Sequence, residues 1–386
     1  MREPLFNIRH IAALAATARH GSVTKAARAV NLTQPALTQA IARLEESLGV
    51  VLFDRGPGGM RPTEPGLLIA ARAETAIGLV GSPRVTGTQL RAFLAVARAG
   101  SYAAAADATG LSTPALHRAI ADLSVALGQR LLERRGRGIA LTSVGERRAR
   151  GFGLAMAELR AGFAELASWC GQAAGRIVVG ALPLSRARWL PETIARFVGA
   201  YPGIDVAVIE GSHAELAGPL RDGEIDLMLG ALRNEALVSD LAQEPVFEDR
   251  PMLVMRTGHP LLSEPVTSAA LTKYPWILPG RRTPLRAYWE ALFHSGGVKP
   301  PHVGIECGSA LAIRQLLLTG DALTLLSPDQ VAVELRAGIL AMLPPPSPIQ
   351  RMIGITTRIG WRPTAEQHGF LALLRETGVR VGSLPG

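Results

Sequence analysis

The chain has 386 residues, 48 % of them hydrophobic and 19 % charged, a length and balance for two or three globular domains, and this excludes a disordered chain. No apolar run reaches the ~18 to 20 residues of a membrane span, the start MREPLFNIRH lacks a signal-peptide core, and Cys170 and Cys307 form neither a disulfide framework nor a metal-ligand spacing, so a cytoplasmic protein with no membrane contact, metal or cofactor is expected. The net charge of +9 is confined to one end: residues 1–150 hold 20 Lys+Arg against 10 Asp+Glu, whereas residues 151–386 hold 21 against 22. A local basic excess is the footprint of a polyanionic partner.

The chain repeats itself. ATARHGSVTKAARAVNLTQPALTQAIARLEESLGVVLFDR returns as AVARAGSYAAAADATGLSTPALHRAIADLSVALGQRLLERR, with Gly21 matching Gly100, a period of 79 residues (100 − 21) that needs no gap. Pro35 matches Pro114, Gly49 matches Gly128 and Gly66 matches Gly145. About two dozen of some sixty aligned positions are identical, so one module is present twice.

In the first copy, apolar residues at 8, 11, 14 and 15 predict a helix from Ile8 to His20, stopped by Gly21-Ser22. Ser22 suits an N-cap for Val23–Val30, where Ala26-Ala27 lets another helix cross closely. After a turn at Asn31-Leu32, Thr33 is a good N-cap for a third helix with Pro35 in its first turn. Leu37, Ile41, Leu44 and Leu48 bury one stripe of it, and Gly49 ends it. Gln34, Thr38 and Gln39 then lie on the other face near its start, where medium-length polar side chains reach base edges in a major groove. Arg43 and Arg55 are further basic candidates, and Val50–Phe53, a Gly/Pro loop and Arg61-Pro62-Thr63 read as a two-stranded wing.

GSVTKAARAVNLTQPALTQAIARLEESLGVVLFDR resembles the N-terminal winged helix-turn-helix of LysR-type transcriptional regulators over nearly sixty residues. The resemblance implies that residues around the Ser-Gln-Pro-Ala motif contact DNA, here Thr33, Gln34, Pro35, Thr38 and Gln39. The second copy keeps the core but changes the face: Gln34, Thr38 and Gln39 become Thr113, His117 and Arg118 beside Pro114, with an Arg-rich wing at Arg134, Arg135 and Arg137. Residues 1–79 carry 9 basic and 6 acidic groups and residues 80–150 carry 11 and 4, so the second copy offers more backbone attraction. Both copies could read DNA, one could read while the other binds a partner or only packs, or the first could be a degenerate duplicate.

A truncated helical stretch, Gly66–Leu79, and Gly81-Ser82-Pro83 link the copies. After the second wing, Gly145 to about Trp169 is near helical spacing, and the resemblance implies that this helix pairs two subunits. Gly151, Gly153 and Gly162 either weaken it or permit close contact. Past a hinge-like stretch, Gly171–Gly175, strands and helices alternate: strands at Arg176–Gly180, Ile204–Glu210 and Asp226–Leu229, helices at Pro191–Ala200 and Ala214–Arg221. Further strands are expected at Met252–Arg256, Trp276–Leu278, Val303–Glu306, Ala322–Leu326 and Met352–Thr357. From about Gly175 to Thr377 the chain is similar to the effector-binding domain of the same family, which has the two-lobed fold of periplasmic binding proteins.

The expected fold is therefore multidomain: a first winged helix-turn-helix at 1–80, a second at 84–145, a linker or dimerisation helix and hinge at 146–172, and a two-lobed α/β effector domain at 173–386. Ligands of open α/β sheets sit beyond the carboxyl ends of strands, often at helix N-termini. That rule selects Pro183, Leu184, Ser185, Ser212, His213, Gly230, Arg282, Thr283 and Ser309. Each Ser and Thr there can equally be a helix cap, Arg281 and Arg282 can be solvated charges, and His213, His259 and His294 read as surface residues rather than metal ligands.

No GxSxG, GxxxxGK[ST], HExxH or strand-to-helix GxGxxG is present, and no Ser/His/carboxylate set converges, so a catalytic reading leaves the basic repeat unexplained. The expectation is a regulator that binds double-stranded DNA and answers to a small-molecule effector, an organic acid or a sugar. Such a regulator works as a homodimer or homotetramer, with RNA polymerase as a possible further partner. The competing expectation is a sensor in which one or both helix-turn-helix copies bind protein instead of DNA.

Overall fold

The computed structural model describes residues 7–56, 59–136, 138–172 and 175–383. The chain forms two compact units, residues 1–175 with 222–224, and residues 176–221 with 225–386.

The N-terminal unit repeats one set of elements. The first copy has α1 (Ile8–His20), α2 (Val23–Ala29), α3 (Gln34–Leu48), the hairpin strands β1 (Phe53–Gly56) and β2 (Gly59–Pro62), and α4 (Glu64–Val80). The second has α5 (Gly87–Ala99), α6 (Tyr102–Thr109), α7 (Thr113–Leu127), β3 (Leu132–Arg135), β4 (Gly138–Leu141) and α8 (Ser143–Trp169). Both hairpins are antiparallel, Phe53 facing Pro62 and Leu132 facing Leu141. Caps set the boundaries. Thr33 Oγ1 accepts from Ala36 N–H and Ser112 Oγ from Ala115 N–H, while Gly49 and Gly128 close the two helices in the left-handed region, which glycine enters without steric cost. Ser22 differs from expectation: it has extended backbone before α2, yet its side chain makes no cap hydrogen bond.

The start of α4 and α8 is built alike. Thr63 Oγ1 donates to the Val51 carbonyl and accepts from Gly66 N–H, and Thr142 Oγ1 donates to the Arg130 carbonyl and accepts from Gly145 N–H. A Cβ on Gly66 would lie 2.0 Å from the Leu52 carbonyl oxygen, and one on Gly145 would lie 2.0 Å from that of Leu131. Both positions therefore require glycine. One hydrophobic core runs through both copies, from Ile8, Leu14, Leu37 and Ile41 to Phe93, Leu116, Phe152 and Leu166.

The helical stretch expected at Gly66–Leu79 is α4, a continuous helix of 17 residues against 27 in α8, and it packs along α8 of the same chain. Arg72 anchors this packing within the chain. Its side chain, 6 % exposed, forms ion pairs with Glu158 and Glu165 of α8, and Gly162 provides the room, since a Cβ there would lie 3.0 Å from Arg72 Cβ.

The second unit has two lobes with separate cores. One lobe is a five-stranded sheet ordered β6-β5-β7-β14-β8, from β5 (Gly175–Ala181), β6 (Ile204–Glu210), β7 (Leu227–Ala231), β8 (Leu241–Asp249) and, near the end of the chain, Arg351–Arg358, numbered β14. β5 and β7 are parallel, as an αβ crossover demands, while β14 runs antiparallel to β7 and β8. Helices α9 (Trp189–Ala200) and α10 (His213–Arg221) follow β5 and β6. The core gathers Val179, Trp189, Phe197, Leu229 and Ile355 with Phe370 and Leu374 of the last helix, Ala365–Ser383, numbered α15.

The other lobe holds β9 (Met252–Arg256), a short helix α11 (Ser268–Leu271), β10 (Ile277–Leu278), α12 (Pro284–Ser295), β11 (Ile305–Glu306), α13 (Ala310–Leu317), β12 (Thr324–Leu326), α14 (Ala332–Arg336) and β13 (Leu340–Leu343). β9 lies between β12 and β13, antiparallel to both, and β10 pairs in parallel with β11. Trp276, Trp289 and Phe293 pack edge-on in its core.

Candidate DNA interface and effector cleft

On α3, the buried stripe of Leu37, Ala40, Ile41 and Leu44 turns Thr33, Gln34, Pro35, Gln39 and Arg43 outward, with Thr38 half-buried. Gln34 Nε2 donates to Thr24 Oγ1 of α2 at 3.0 Å, which fixes its amide beside the helix start, and Thr38 Oγ1 donates to the Gln34 carbonyl. An open groove of about 790 Å³ runs along this face, lined by Val23, Gln34, Pro35, Thr38, Gln39 and Arg55. Arg55 stands on β1 within 3.9 Å of Glu45, and the same Glu45 carboxylate accepts from the N–H groups of Leu52 and Phe53, tying the end of α3 to the wing. The structure therefore brings the first copy's candidates together on one surface. The wing closes over the helix-turn-helix: Met60 N–H donates to the Gly21 carbonyl, and Gly59, at φ +111°, sits so close that a Cβ would lie 2.3 Å from that oxygen.

On α7, Pro114, His117 and Arg118 are exposed and Thr113 is half-buried. His117 is not free. It stacks on Tyr102 of α6 with ring centroids 3.6 Å apart, and the two line a groove of about 520 Å³ along the later half of α7. Tyr102 stands where the first copy has Val23, so the second copy supports its reading face with an aromatic ring, which pattern reading did not single out. Burial pushes the Tyr102 phenol above its ordinary range, keeping it a neutral ring under the imidazole. Arg134 and Arg135 stand exposed on β3, and Arg137 lies outside the described residues.

In the second unit the candidate residues are unequal: Gly230, expected beyond a strand, lies inside β7 and His213 opens α10, while the others lie on loops or at helix starts. Ser185 is fully buried and its hydroxyl donates to the Leu182 carbonyl at 2.8 Å, so it shapes the turn after β5; Leu184 is buried beside it and Pro183 is half-buried. Ser212 is exposed and bonded to the Glu215 carboxylate, which these bonds hold below the usual range. Gly230, at φ +151°, brings the end of β7 against Leu182, closer than a Cβ would allow. Arg282 is exposed, Thr283 Oγ1 donates to the Gly280 carbonyl without capping α12, and Ser309 caps α13 through Ala312 N–H.

Two side chains that pattern reading passed over join the lobes. Arg188, in the loop after β5, reaches Asp329 after β12 at 3.4 Å. Arg233, two residues past β7, donates from Nη1 to the Arg282 carbonyl at 3.3 Å, and its Nε is buried with no acceptor among the described residues. Beside it, His213 is held below the ordinary imidazole range by burial and by Arg233 and Arg221, so it stays neutral. The rule that selected Gly230 would have reached Arg233 had it been carried to the end of the same loop. His259 corrects an expectation: it is 1 % exposed rather than on the surface, with Nδ1 accepting from Leu261 N–H and its ring against Tyr274. His294 is exposed.

Among the described residues no helix is long and apolar enough to cross a membrane, and no group of three or more His, Cys, Asp or Glu could hold a metal ion.

Comparison with known proteins gives these surfaces a context. The profile of the bacterial regulatory helix-turn-helix protein, lysR family, matches residues 8–67 and again 88–146, and the LysR substrate binding domain matches 171–378. The HTH-type transcriptional regulator GalR of Pseudomonas putida is 32 % identical over 384 residues, covering 96 % of this chain and 97 % of that protein. PcaQ of Agrobacterium fabrum is 31 % identical over 295 residues, covering 76 % of this chain and 95 % of its own. The crystal structure of ArgP from Mycobacterium tuberculosis has the same fold, with a TM-score of 0.55 at 21 % identity over 77 % of this chain and 97 % of that one. The relatives are transcriptional regulators rather than enzymes. A basic helix-turn-helix unit followed by a two-lobed binding unit, with both family profiles matched, places the chain in the LysR family of DNA-binding transcriptional regulators with a C-terminal effector-binding domain.

Proposed function

We propose that this regulator grips duplex DNA through Thr33, Gln34, Pro35, Thr38, Gln39, Arg43 and Arg55 of the first copy and Thr113, Pro114, His117, Arg118, Arg134 and Arg135 of the second. We propose further that a small organic acid bound between the lobes controls that grip. The observation that carries the effector class is Arg233: a half-buried guanidinium whose enclosed Nε has no acceptor among the described residues, two residues past the sheet strand that also carries Gly230. A buried charged donor left unmatched is costly, and a carboxylate matches a guanidinium in two parallel bonds. A neutral sugar offers that guanidinium no counter-charge. His213, kept neutral, adds a donor or acceptor without adding charge. Closure of the lobes on the ligand would shift the population of subunit arrangements within a homodimer or homotetramer, and through it contact with RNA polymerase.

The test is a thermal-shift panel of small carboxylic acids and neutral sugars against the full chain. A carboxylic acid is expected to raise Tm, and Arg233→Gln to remove the shift while leaving the unliganded Tm within a few degrees. A shift given by sugars alone and untouched by Arg233→Gln would contradict the organic-acid reading.

A further inference from the structure

The pairing of α4 with α8 has a symmetry of its own. Arg72 faces Glu158, the Leu79 carbonyl faces Gly151 and Gly81 faces Arg148. Facing positions fall along α8 as they rise along α4, so the helices are antiparallel. The period of the repeat makes Gly151 the counterpart of Arg72 and Glu158 the counterpart of Leu79. Position 72 of one copy therefore meets position 79 of the other, and position 79 of the first meets position 72 of the second. That reciprocity, residue i on j and j on i, is the signature of a two-fold interface. Midway lie Ala76 and its counterpart Ala155, both fully buried.

We propose that α4 and α8 hold the two helix-turn-helix modules as an intramolecular two-fold pair, so that one chain reads two unlike half-sites of duplex DNA; the DNA part rests on the function proposed above. Two modules related by a two-fold present their second helices to half-sites of opposite polarity, about one helical turn (~34 Å) or a multiple apart. A pair of identical modules reads a palindrome. These modules are not identical. Gln34 and Gln39 suit adenine, whereas Arg118 suits guanine, and His117 is braced against Tyr102.

The ion pair selects this partnership over its alternatives. Two α8 helices from different chains, paired in the same way, would set Glu158 against Gly151 in place of Arg72. Two α4 helices would set Arg72 against Leu79, a guanidinium with no carboxylate. The mixed pair alone matches Arg72 with Glu158 and adds Glu165, and Gly151 and Gly162 on α8 leave the space the close approach needs. Leaving a half-buried charge unmatched in the wrong pairings disfavours them.

The experiment selects binding sequences for the full chain from random duplexes and counts chains per enriched duplex by native mass spectrometry. The expected result is two separate blocks of different sequence per chain, with Gln34→Ala/Gln39→Ala erasing the preference in one block and His117→Ala/Arg118→Ala in the other. Arg72→Glu is expected to lower affinity for the two-block duplex about 100-fold or more, the avidity lost when linked sites come apart. Affinity for a duplex carrying one block should stay within about twofold, and Glu158→Arg/Glu165→Arg in the same chain should restore the rest. One block per chain, or a palindrome bound by two chains, overturns the pair and leaves DNA binding standing. Enrichment of no duplex overturns both. If circular dichroism shows Arg72→Glu unfolded, the block count of the unchanged chain and the two face variants decide.

Discussion

Arg72 shows how one side chain can organise a unit. Its partners lie 86 and 93 residues away in sequence, and the helix that carries it reads as an ordinary amphipathic stretch, so nothing local marks it. Breaking such a pair leaves two partly buried carboxylates facing each other. Arg72→Ala should therefore cost roughly 2 to 4 kcal/mol in urea denaturation, below the figure for a fully enclosed pair because both carboxylates keep some solvent. An unchanged midpoint would remove the ion pair from the account. His259 makes a second residue-scale prediction. Burial holds its imidazole below the ordinary range, outweighing the pull of Asp321. The unfolded chain then takes up a proton at a pH where the folded one does not. The stability this group supports is intact above the ordinary imidazole value near 6.5 and is lost as pH falls from there through the folded value. His259→Asn keeps a capping acceptor for Leu261 N–H, and should flatten that part of a denaturation-against-pH profile. The bonded-neutral state of His259 was hidden in the sequence, because a lone histidine before Pro260 looks the same exposed or enclosed.

Elements were legible where local chemistry sets them. Thr33 with Pro35, the 4-3-4 spacing from Leu37 to Leu48, and Gly49 define α3 within a residue, and the repeat carries the same boundaries to α7. Ile204–Glu210 and Met252–Arg256 are strands at the expected bounds. The strands not expected, β8 and β13, lacked that local signature. Pro245 interrupts β8, and the ladder with β14 slips there, between Ile353 and Gly354, so the nine-residue strand carries no continuous strand pattern. Four-residue β13 pairs with β9. The glycines at the head of α4 and α8 give the element-scale prediction. Gly66→Ala and Gly145→Ala each force a Cβ onto a carbonyl oxygen at 2.0 Å, backbone that cannot swing aside. Each should destabilise the N-terminal unit by about 1 to 3 kcal/mol or more, and by similar amounts, since the two sites are built alike. Thermal melts of the two variants check it. A cost at one site and none at the other would mean that the copies are not structurally equivalent.

On the scale of the whole molecule, the chain divides its chemistry between two units. The basic excess sits with the exposed helix faces, and the near-neutral unit carries the two-lobed substrate-binding fold. Charge placement and the repeat made the first half of this division readable. The second rested on the order of strands and on loops beyond their ends, a rule that could not separate Ser185, which is enclosed, from Arg233, which keeps some exposure. Such discrimination needs the packing of both lobes. A protein gripping the DNA backbone through many arginines releases condensed counterions, and its affinity must fall with salt. The most direct measurement is the affinity of the full chain for duplex DNA, followed by fluorescence anisotropy as salt rises. The account predicts that log affinity falls linearly with log salt, at a slope of about −0.9 per phosphate neutralised, and that the slope becomes shallower by about two when Arg134 and Arg135 are both changed to Ala. Binding indifferent to salt, or none to any duplex, would contradict it.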